Sequence, residues 1–214
     1  MSLQSESDDQ ANSGLYSFLK KPHMYSFFQR LMGSHSKYRT YISEFMKPWD
    51  GARMLDIGCG TADILYFLPS NIDYVGYDIS MDYINYAENK YGNRAKFHNE
   101  RVNTMTVTDN ERFDIVLADG LIHHLNNDEA KKLFQIGYGV LNDGGFMLTV
   151  DPTFVEEQRI VDKYLTSIDR GKHVRTPEEF IAIALDVFPR VEMNVILFKM
   201  LFSLSGCILK CYRH

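Results

Sequence analysis

The sequence predicts an α/β fold built around a mainly parallel sheet. Short runs of apolar and β-branched residues alternate with longer segments of helical periodicity, the pattern of successive βαβ units. A glycine-containing turn follows the first of these runs, and an aspartate ends the second. Ligands of open α/β sheets bind at the carboxyl ends of the parallel strands, so these features together predict a ligand site at that edge.

Five strands are expected before the C-terminal tail. Their segments are 53–57, 74–78, 96–98, 113–118 and 145–150. The fourth is apolar on both faces, as expected of a central parallel strand. Two further β-capable runs, 191–198 and 206–213, are expected to form an antiparallel hairpin at one edge of the sheet.

Helices are expected between these strands, at 63–68, 81–91, 128–141 and 177 to about 187. Ser80 is a suitable N-cap for the second helix, and Gly92 ends it. The run Thr176-Pro177-Glu178-Glu179 predicts a capping box with proline at the first helical position. The residues Asn-Asp-Gly-Gly at 142–145 are expected to form the turn before the fifth strand.

The region before the first strand divides into two expected parts. Residues 1–14 are polar and mildly acidic and are expected to form a flexible leader. Residues 15–50 are expected to be helical, with Tyr25, Gln29 and Gly33 on one helix face. That face is interpreted either as a packing stripe or as part of a lid over a binding site. Residues 51–214 are expected to form the ligand-binding domain.

Composition and charge exclude several functions. The chain has 214 residues, 45% of them apolar, which is enough for one ordinary core. A formal net charge of −5 disfavours nucleic acid as the main partner. The most apolar stretch, 195–209, is interrupted by polar residues and is shorter than a bilayer span, so no stable membrane insertion is expected. Three cysteines without zinc-ligand spacing predict a reduced, cytoplasmic protein.

The sharpest local signal is the segment Asp56-Ile57-Gly58-Cys59-Gly60, in which a strand ends at a turn with two glycines. Asp78 follows Gly60 by 18 positions and ends the second strand, where a carboxylate can accept hydrogen bonds from a ribose diol. The dinucleotide fingerprint would need a third glycine at position 63, where this chain has Asp63. The turn and Asp78 therefore predict a nucleoside-containing ligand.

The segment resembles the first motif of the class I S-adenosylmethionine (SAM)-dependent methyltransferases, an acid followed by spaced glycines. The stretches 75–80, 113–125 and 141–145 resemble later motifs of that family in the same order. The resemblance covers about residues 54–151 and implies SAM as the cofactor. It also implies a doubly wound, Rossmann-like, mostly parallel sheet of seven strands in the order 3-2-1-4-5-7-6. A narrower likeness, carried by 22–33 and 169–176, is to bacterial small-molecule methyltransferases.

The resemblance also implies cofactor-binding residues. Those expected around the methionine part and the transferring methyl are Asp56, Gly58, Cys59, Gly60, Asp119 and Gly120. Asp78 would bind the ribose hydroxyls, and Ile79 would contact the adenine. Two positions depart from the family pattern. Ala62 replaces the third glycine, and Arg101, or Glu100 before it, stands where many members place an adenine-binding aspartate.

Methyl transfer from a sulfonium requires mainly alignment, although a hydroxyl or amine acceptor can need a general base. The candidate bases are His123, His124 and Asp119, with His173 as a further histidine. Each member of the His123-His124 pair has a structural role as its alternative. No metal site is expected.

The acceptor is expected to meet the charged run 169–175 and the N-terminal helical region. The residues assigned to acceptor binding or to the lid are Tyr25, Gln29, Arg170 and His173. Arg170 or Arg175 would recognise a polar or anionic group, unless this run is a solvated loop.

The sequence therefore predicts methyl transfer from SAM to an oxygen or nitrogen of a small molecule, by a monomer or homodimer. A catalytically degenerate SAM-binding scaffold is the first alternative, motivated by Ala62 and Arg101. A nicotinamide-dependent oxidoreductase is the second, and it lacks the third glycine of its fingerprint.

Overall fold

The computed structural model describes residues 22–24, 26, 34–101, 111–155, 173–199 and 203–214. These residues form a seven-stranded sheet in the order β3-β2-β1-β4-β5-β7-β6. The strands are β1 (Arg53–Ile57), β2 (Asp73–Asp78), β3 (Ala95–Asn99), β4 (Phe113–Asp119), β5 (Leu141–Pro152), β6 (Arg190–Lys199) and β7 (Ser203–Tyr212). Only β7 runs antiparallel to its neighbours, β5 and β6. The predicted doubly wound sheet, its strand order and its C-terminal hairpin are confirmed.

Helices pack against this sheet. They are α1 (Ser34–Tyr41), α2 (Met81–Tyr91), α3 (Asn127–Val140) and α4 (Pro177–Leu185), with a π turn at Ile42–Met46 and 3-10 turns at Asp63–Tyr66 and Ile122–His124. Helices α2, α3 and α4 begin at side-chain caps. The Ser80 hydroxyl accepts a hydrogen bond from the backbone N–H of Tyr83, as the sequence predicts for an N-cap. Thr176 and Glu179 form the predicted capping box, which fixes the start of α4.

Three boundaries differ from the predictions. The helix expected at 63–68 is a single 3-10 turn, because Ala62 before it is left-handed and Pro69 restricts the residue that precedes it. The turn expected at 142–145 belongs to β5, where Gly144 has a φ of +80° and the pairing with β4 is irregular. Helix α4 ends at Leu185, two residues early. Tyr25, Gln29 and Gly33 lie outside the described residues.

Side chains alternate between the two faces of the sheet, and each face carries its own hydrophobic core. Met54 and Leu117 belong to the core shared with α1 and α2. Leu55 and Val116 belong to the core shared with α3 and α4. Four aspartates lie at or next to the carboxyl ends of strands. By the same alternation, Asp56 of β1, Asp78 of β2 and Asp119 of β4 lie on the α1/α2 face. Asp151 of β5 lies on the α3/α4 face.

Within the described ranges, no helix combines the length and the apolar character needed to span a bilayer. The three cysteines are free thiols.

Candidate functional site

The glycine turn after β1 folds back onto the end of β2. Gly58 and Gly60 have φ angles of +80° and +54°, which glycine adopts without strain. The backbone N–H groups of Gly58 and Cys59 both donate to the carbonyl of Tyr77, at 2.7 and 3.0 Å. A Cβ atom added at Gly60 would meet nothing within 4 Å, so space is open beside this residue. The turn therefore leaves backbone accessible to a ligand.

Asp78 ties this turn to the start of α2. Its Oδ2 accepts a hydrogen bond from the N–H of Gly60 at 2.9 Å, and its Oδ1 accepts one from the N–H of Ser80 at 2.8 Å. Burial raises the pKa of Asp78, while hydrogen bonds from the backbone N–H groups of Ser80, Gly60 and Ile79 oppose that rise. The next side chain, Ile79, is 65% exposed. A ribose acceptor and an apolar surface thus lie side by side, an arrangement that fits a nucleoside.

Asp56 lies deeper, under the glycine turn. The residue is 3% exposed, and its Oδ2 accepts a hydrogen bond from the Tyr74 hydroxyl at 2.5 Å. Burial raises the pKa of Asp56 to about 7; the Tyr74 hydrogen bond opposes this rise, and the charges of Asp119 and Asp78 add to it. A neighbouring positive charge would therefore be stabilising at this point.

Ala62 and Asp63 separate this turn from a dinucleotide-binding turn. Ala62 adopts a φ of 53°, and its methyl is buried in the α1/α2-face core, so it packs inward. Asp63 accepts hydrogen bonds from Ser26 and Thr61 and pairs with Lys90 at 2.7 Å. A carboxylate at this position would repel the pyrophosphate of a nicotinamide cofactor, which such turns hold at a helix N-terminus.

Asp119, at the end of β4, is held by two side chains of α1. Lys37 places its Nζ 2.6 Å from Oδ1 of Asp119, and the Tyr41 hydroxyl donates to Oδ2 at 3.1 Å. Burial and the charge of Asp119 raise the pKa of Tyr41, which keeps its hydroxyl protonated as a donor. Neither residue was predicted from the sequence, where their only signal was an i, i+4 spacing in a region expected to be helical.

His123 and Asp151 form a buried pair on the other face of the sheet. Oδ1 of Asp151 lies 2.8 Å from Nδ1 of His123 and also accepts a hydrogen bond from the His123 backbone N–H at 3.1 Å. The two residues are 4% and 2% exposed. In a neutral imidazole, an Nδ1–H that donates to the Asp151 carboxylate leaves Nε2 as the accepting nitrogen. The ring lies beside Gly120, since a Cβ there would be 3.7 Å from its Cε1.

The neighbouring histidines surround this pair. The rings of His123 and His124 are 4.0 Å apart between centroids. His173 is exposed, and its backbone N–H donates to the carbonyl of His123 at 3.0 Å. The structure thus brings the predicted residues His123, His124 and His173 together, although His173 comes from a distant segment of the chain.

Arg175 holds the loops around this pair in place. Its guanidinium donates to the carbonyls of Ile122, Leu125 and His173 and to the side chain of Asn127. The expectation that Arg175 presents its charge to an acceptor is therefore wrong.

Two other predicted positions bear on the acceptor and the adenine. Arg170 lies outside the described residues. Arg101 is exposed just beyond β3, and the N–H of Glu100 donates to the carbonyl of Asp78 at 3.1 Å. Among the residues that the structure describes, no group of three or more His, Cys, Asp or Glu side chains is arranged to hold a metal ion.

Comparisons with known proteins agree with this geometry. Residues 54–145 match the family model described as a methyltransferase domain. The fold is similar to that of YcgJ from Bacillus subtilis, with a TM-score of 0.63 at 14% identity over 85% of this chain and 99% of that one. It is also similar to a TehB-like SAM-dependent methyltransferase from Corynebacterium glutamicum, with a TM-score of 0.60 at 15% identity over 88% of this chain and 96% of that one.

A third similar structure is human N-acetylserotonin methyltransferase in complex with SAM. The TM-score is 0.63 at 12% identity, over 94% of this chain and 59% of that one. No curated protein matches the sequence. At these identities the structural likeness concerns the fold.

Proposed function

We propose that this chain, whose residues 54–145 match the family model of a methyltransferase domain, uses SAM as its cofactor and methylates an oxygen or nitrogen of a small-molecule acceptor. The observation that carries the proposal is the contact of Asp78 with both Gly60 and Ser80. It joins the glycine turn to a carboxylate and leaves open space beside Gly60, and this combination suits the ribose and methionine parts of SAM.

The chain's own residues would have three tasks in this reaction. Bound SAM supplies a methyl already activated by the sulfonium, so alignment is the first task. Asp56, Gly58, Cys59, Gly60, Asp78, Ile79, Arg101, Asp119 and Gly120 are the proposed cofactor-binding residues. The second task is to compensate the positive charge, for which Asp56 and Asp119 are placed on the same face of the sheet.

The third task is to remove a proton from the acceptor. His123 is the preferred general base, because Asp151 fixes the proton on Nδ1 and leaves Nε2 to accept. His124 is the alternative, since its ring lies beside that of His123 at an interplanar angle of 40°. Asp119 is a weaker candidate for this task, because Lys37 and Tyr41 already occupy its oxygens.

We also propose that residues 15–50 form a lid over the cofactor end of the domain 51–214, with Tyr25, Gln29, Arg170 and His173 toward the acceptor. Contacts from the N-terminal region to Asp63, after the glycine turn, and to Asp119, at the end of β4, support this proposal. Ser26 donates to Asp63, and Lys37 and Tyr41 contact Asp119.

Calorimetric titration with SAM and with S-adenosylhomocysteine tests the cofactor site. We expect both ligands to bind the wild-type protein, and Asp78→Ala to weaken both by about 100-fold, since hydrogen bonds to a charged group contribute about 1.5–3 kcal/mol each. Asp82→Ala, an exposed aspartate in the first turn of α2, is the matched control and should leave both affinities unchanged. Failure of well-folded wild type to bind either ligand would refute the proposal.

Turnover separates the enzyme from the scaffold alternative. With an acceptor found by screening for S-adenosylhomocysteine release, His123→Gln should lower kcat by about 10²-fold while SAM affinity stays constant. An unchanged kcat would exclude His123 as the base. SAM binding without turnover across acceptor classes would favour the scaffold.

A further inference from the structure

We infer that Lys37 and Asp119 together recognise the amino-acid zwitterion of the cofactor, an inference that rests on the proposed function. In the structure the two side chains pair with each other. With SAM bound, Asp119 would pair with the α-ammonium and Lys37 with the α-carboxylate. An ion pair that exchanges partners with a zwitterion keeps every charge compensated.

The charge distribution at this edge supports the assignment. Asp56, Asp78 and Asp119 share one face of the sheet, and the charges of the other two raise the pKa of Asp56. Three carboxylates suit a ligand whose sulfonium and ammonium are both positive. The ligand's single negative group, its carboxylate, would be repelled by all three unless a cation stood beside them. Lys37 is the cation in contact with Asp119.

In this pair Asp119 is held in place by a second contact, whereas Lys37 is free to change its position. Tyr41 is fully buried and holds Oδ2 of Asp119, so the carboxylate has one oxygen fixed and Oδ1 facing Lys37. The side chains of Lys37 and Asp119 are 20% and 13% exposed, and Oδ1 of Asp119 is itself buried in the contact with Lys37. A lysine head on a four-carbon stem can move to a new anion while Asp119 stays in place.

Ligands with and without the zwitterion test this inference. Calorimetry would compare S-adenosylhomocysteine, SAM and 5′-methylthioadenosine, which keeps the adenosine and the thioether but lacks the amino acid. We expect Lys37→Met to weaken the first two by about tenfold, the loss of one charge-assisted hydrogen bond. Binding of 5′-methylthioadenosine should not change. Lys37→Arg keeps the positive charge, so it should restore the preference for S-adenosylhomocysteine and SAM over 5′-methylthioadenosine.

Arg39→Met is the matched control, because it removes a cation from the same helix that lies over the ring of Phe67. It should change none of the three affinities. Asp119→Asn should weaken SAM and S-adenosylhomocysteine and spare 5′-methylthioadenosine.

Each other result overturns the inference. Equal loss for all three ligands with Lys37→Met would assign Lys37 a purely structural role. Tighter binding of SAM would make Lys37 a competitor of the ligand. If the wild type binds S-adenosylhomocysteine and Lys37→Met keeps the same preference for it over 5′-methylthioadenosine, this inference alone is refuted. If the wild type binds none of the three ligands, the proposed function is refuted as well.

Discussion

The two ends of the candidate site are built by different means. At the cofactor end, backbone N–H groups of Gly60 and Ser80 converge on Asp78, and the contacts span 18 positions or fewer. At the acceptor end, side chains reach across 28 positions from His123 to Asp151 and 53 from Arg175 to Ile122. The part of the cofactor end around Asp78 depends on local backbone shape, and the proposed acceptor end depends on tertiary packing. We therefore expect the two ends to respond independently to substitution.

The largest expected effect is a pH dependence of stability that arises at the cofactor end. The pKa of Asp56 rises from its ordinary 3.8 to about 7 in the folded protein. Its contribution to stability is therefore complete below about pH 4 and is lost as pH rises through 7, a change of up to about 4 kcal/mol. Asp56→Asn keeps an acceptor for Tyr74 but cannot ionise, so its unfolding free energy should vary less with pH.

Urea unfolding between about pH 4 and pH 8 measures this difference. Asp143→Asn, at a side chain that is 83% exposed, is the control and should follow the wild-type profile. Parallel profiles for wild type and Asp56→Asn would show that Asp56 is ionised throughout.

At the acceptor end, Arg175→Lys should lower the free energy of unfolding by about 2–3 kcal/mol, because an ammonium cannot replace a fork that serves three carbonyls and an amide. SAM affinity of the folded variant should be unchanged. Arg190→Lys, at an exposed side chain, should change neither quantity. A loss of SAM affinity in Arg175→Lys would contradict the independence of the two ends.

A steric contact under the glycine turn gives the next effect. A Cβ at Gly76 would lie 2.9 Å from Sγ of Cys59 and 3.0 Å from the ring of Phe97, so Gly76→Ala should cost about 2 kcal/mol. Adding Cys59→Ala should recover part of that loss, and thermal or urea unfolding of both variants measures the coupling. Gly139→Ala in α3, where a Cβ meets nothing, should instead stabilise the protein by about 0.5–1 kcal/mol. A neutral Gly76→Ala would mean that Cys59 moves freely.

The smallest effect is expected for Ala62→Gly. Relief of the left-handed backbone, about 1 kcal/mol, is offset by the loss of a buried methyl, about 0.8 kcal/mol. Unfolding and SAM titration should both show little change. A marked gain in SAM affinity would show that the methyl crowds the ligand.

The contrast between the two ends also explains what could be predicted from the sequence. The caps at Ser80 and Thr176 and the glycine turn depend on residues close together in the chain, and they were predicted from those residues. The strand order joins distant segments, and it was predicted from the resemblance to a known family. The pairing of His123 with Asp151 was not predicted, because it depends on how two strand ends align in space. The role of Arg175 was misjudged for the same reason: a charged residue in a loop looks identical whether it meets solvent or backbone carbonyls.

Lys37 and Tyr41 show a further limit. Their i, i+4 spacing indicates a shared helix face, but nothing local indicates that this face meets the end of β4. The 3-10 turn after Ala62 was missed because helical periodicity does not report a left-handed residue at its start.

The antiparallel course of β7 has a practical consequence for surface attachment. Gly206 pairs with Pro152 near the site edge, and Tyr212 pairs with Phe146 at the other end of the β5–β7 pairing, about 20 Å away along the strand. The last residue of this chain, His214, therefore points away from the edge where Asp78 and Asp119 lie. A fluorophore or a bead linked there would leave that edge facing the solution, so immobilised protein should keep its ligand affinity.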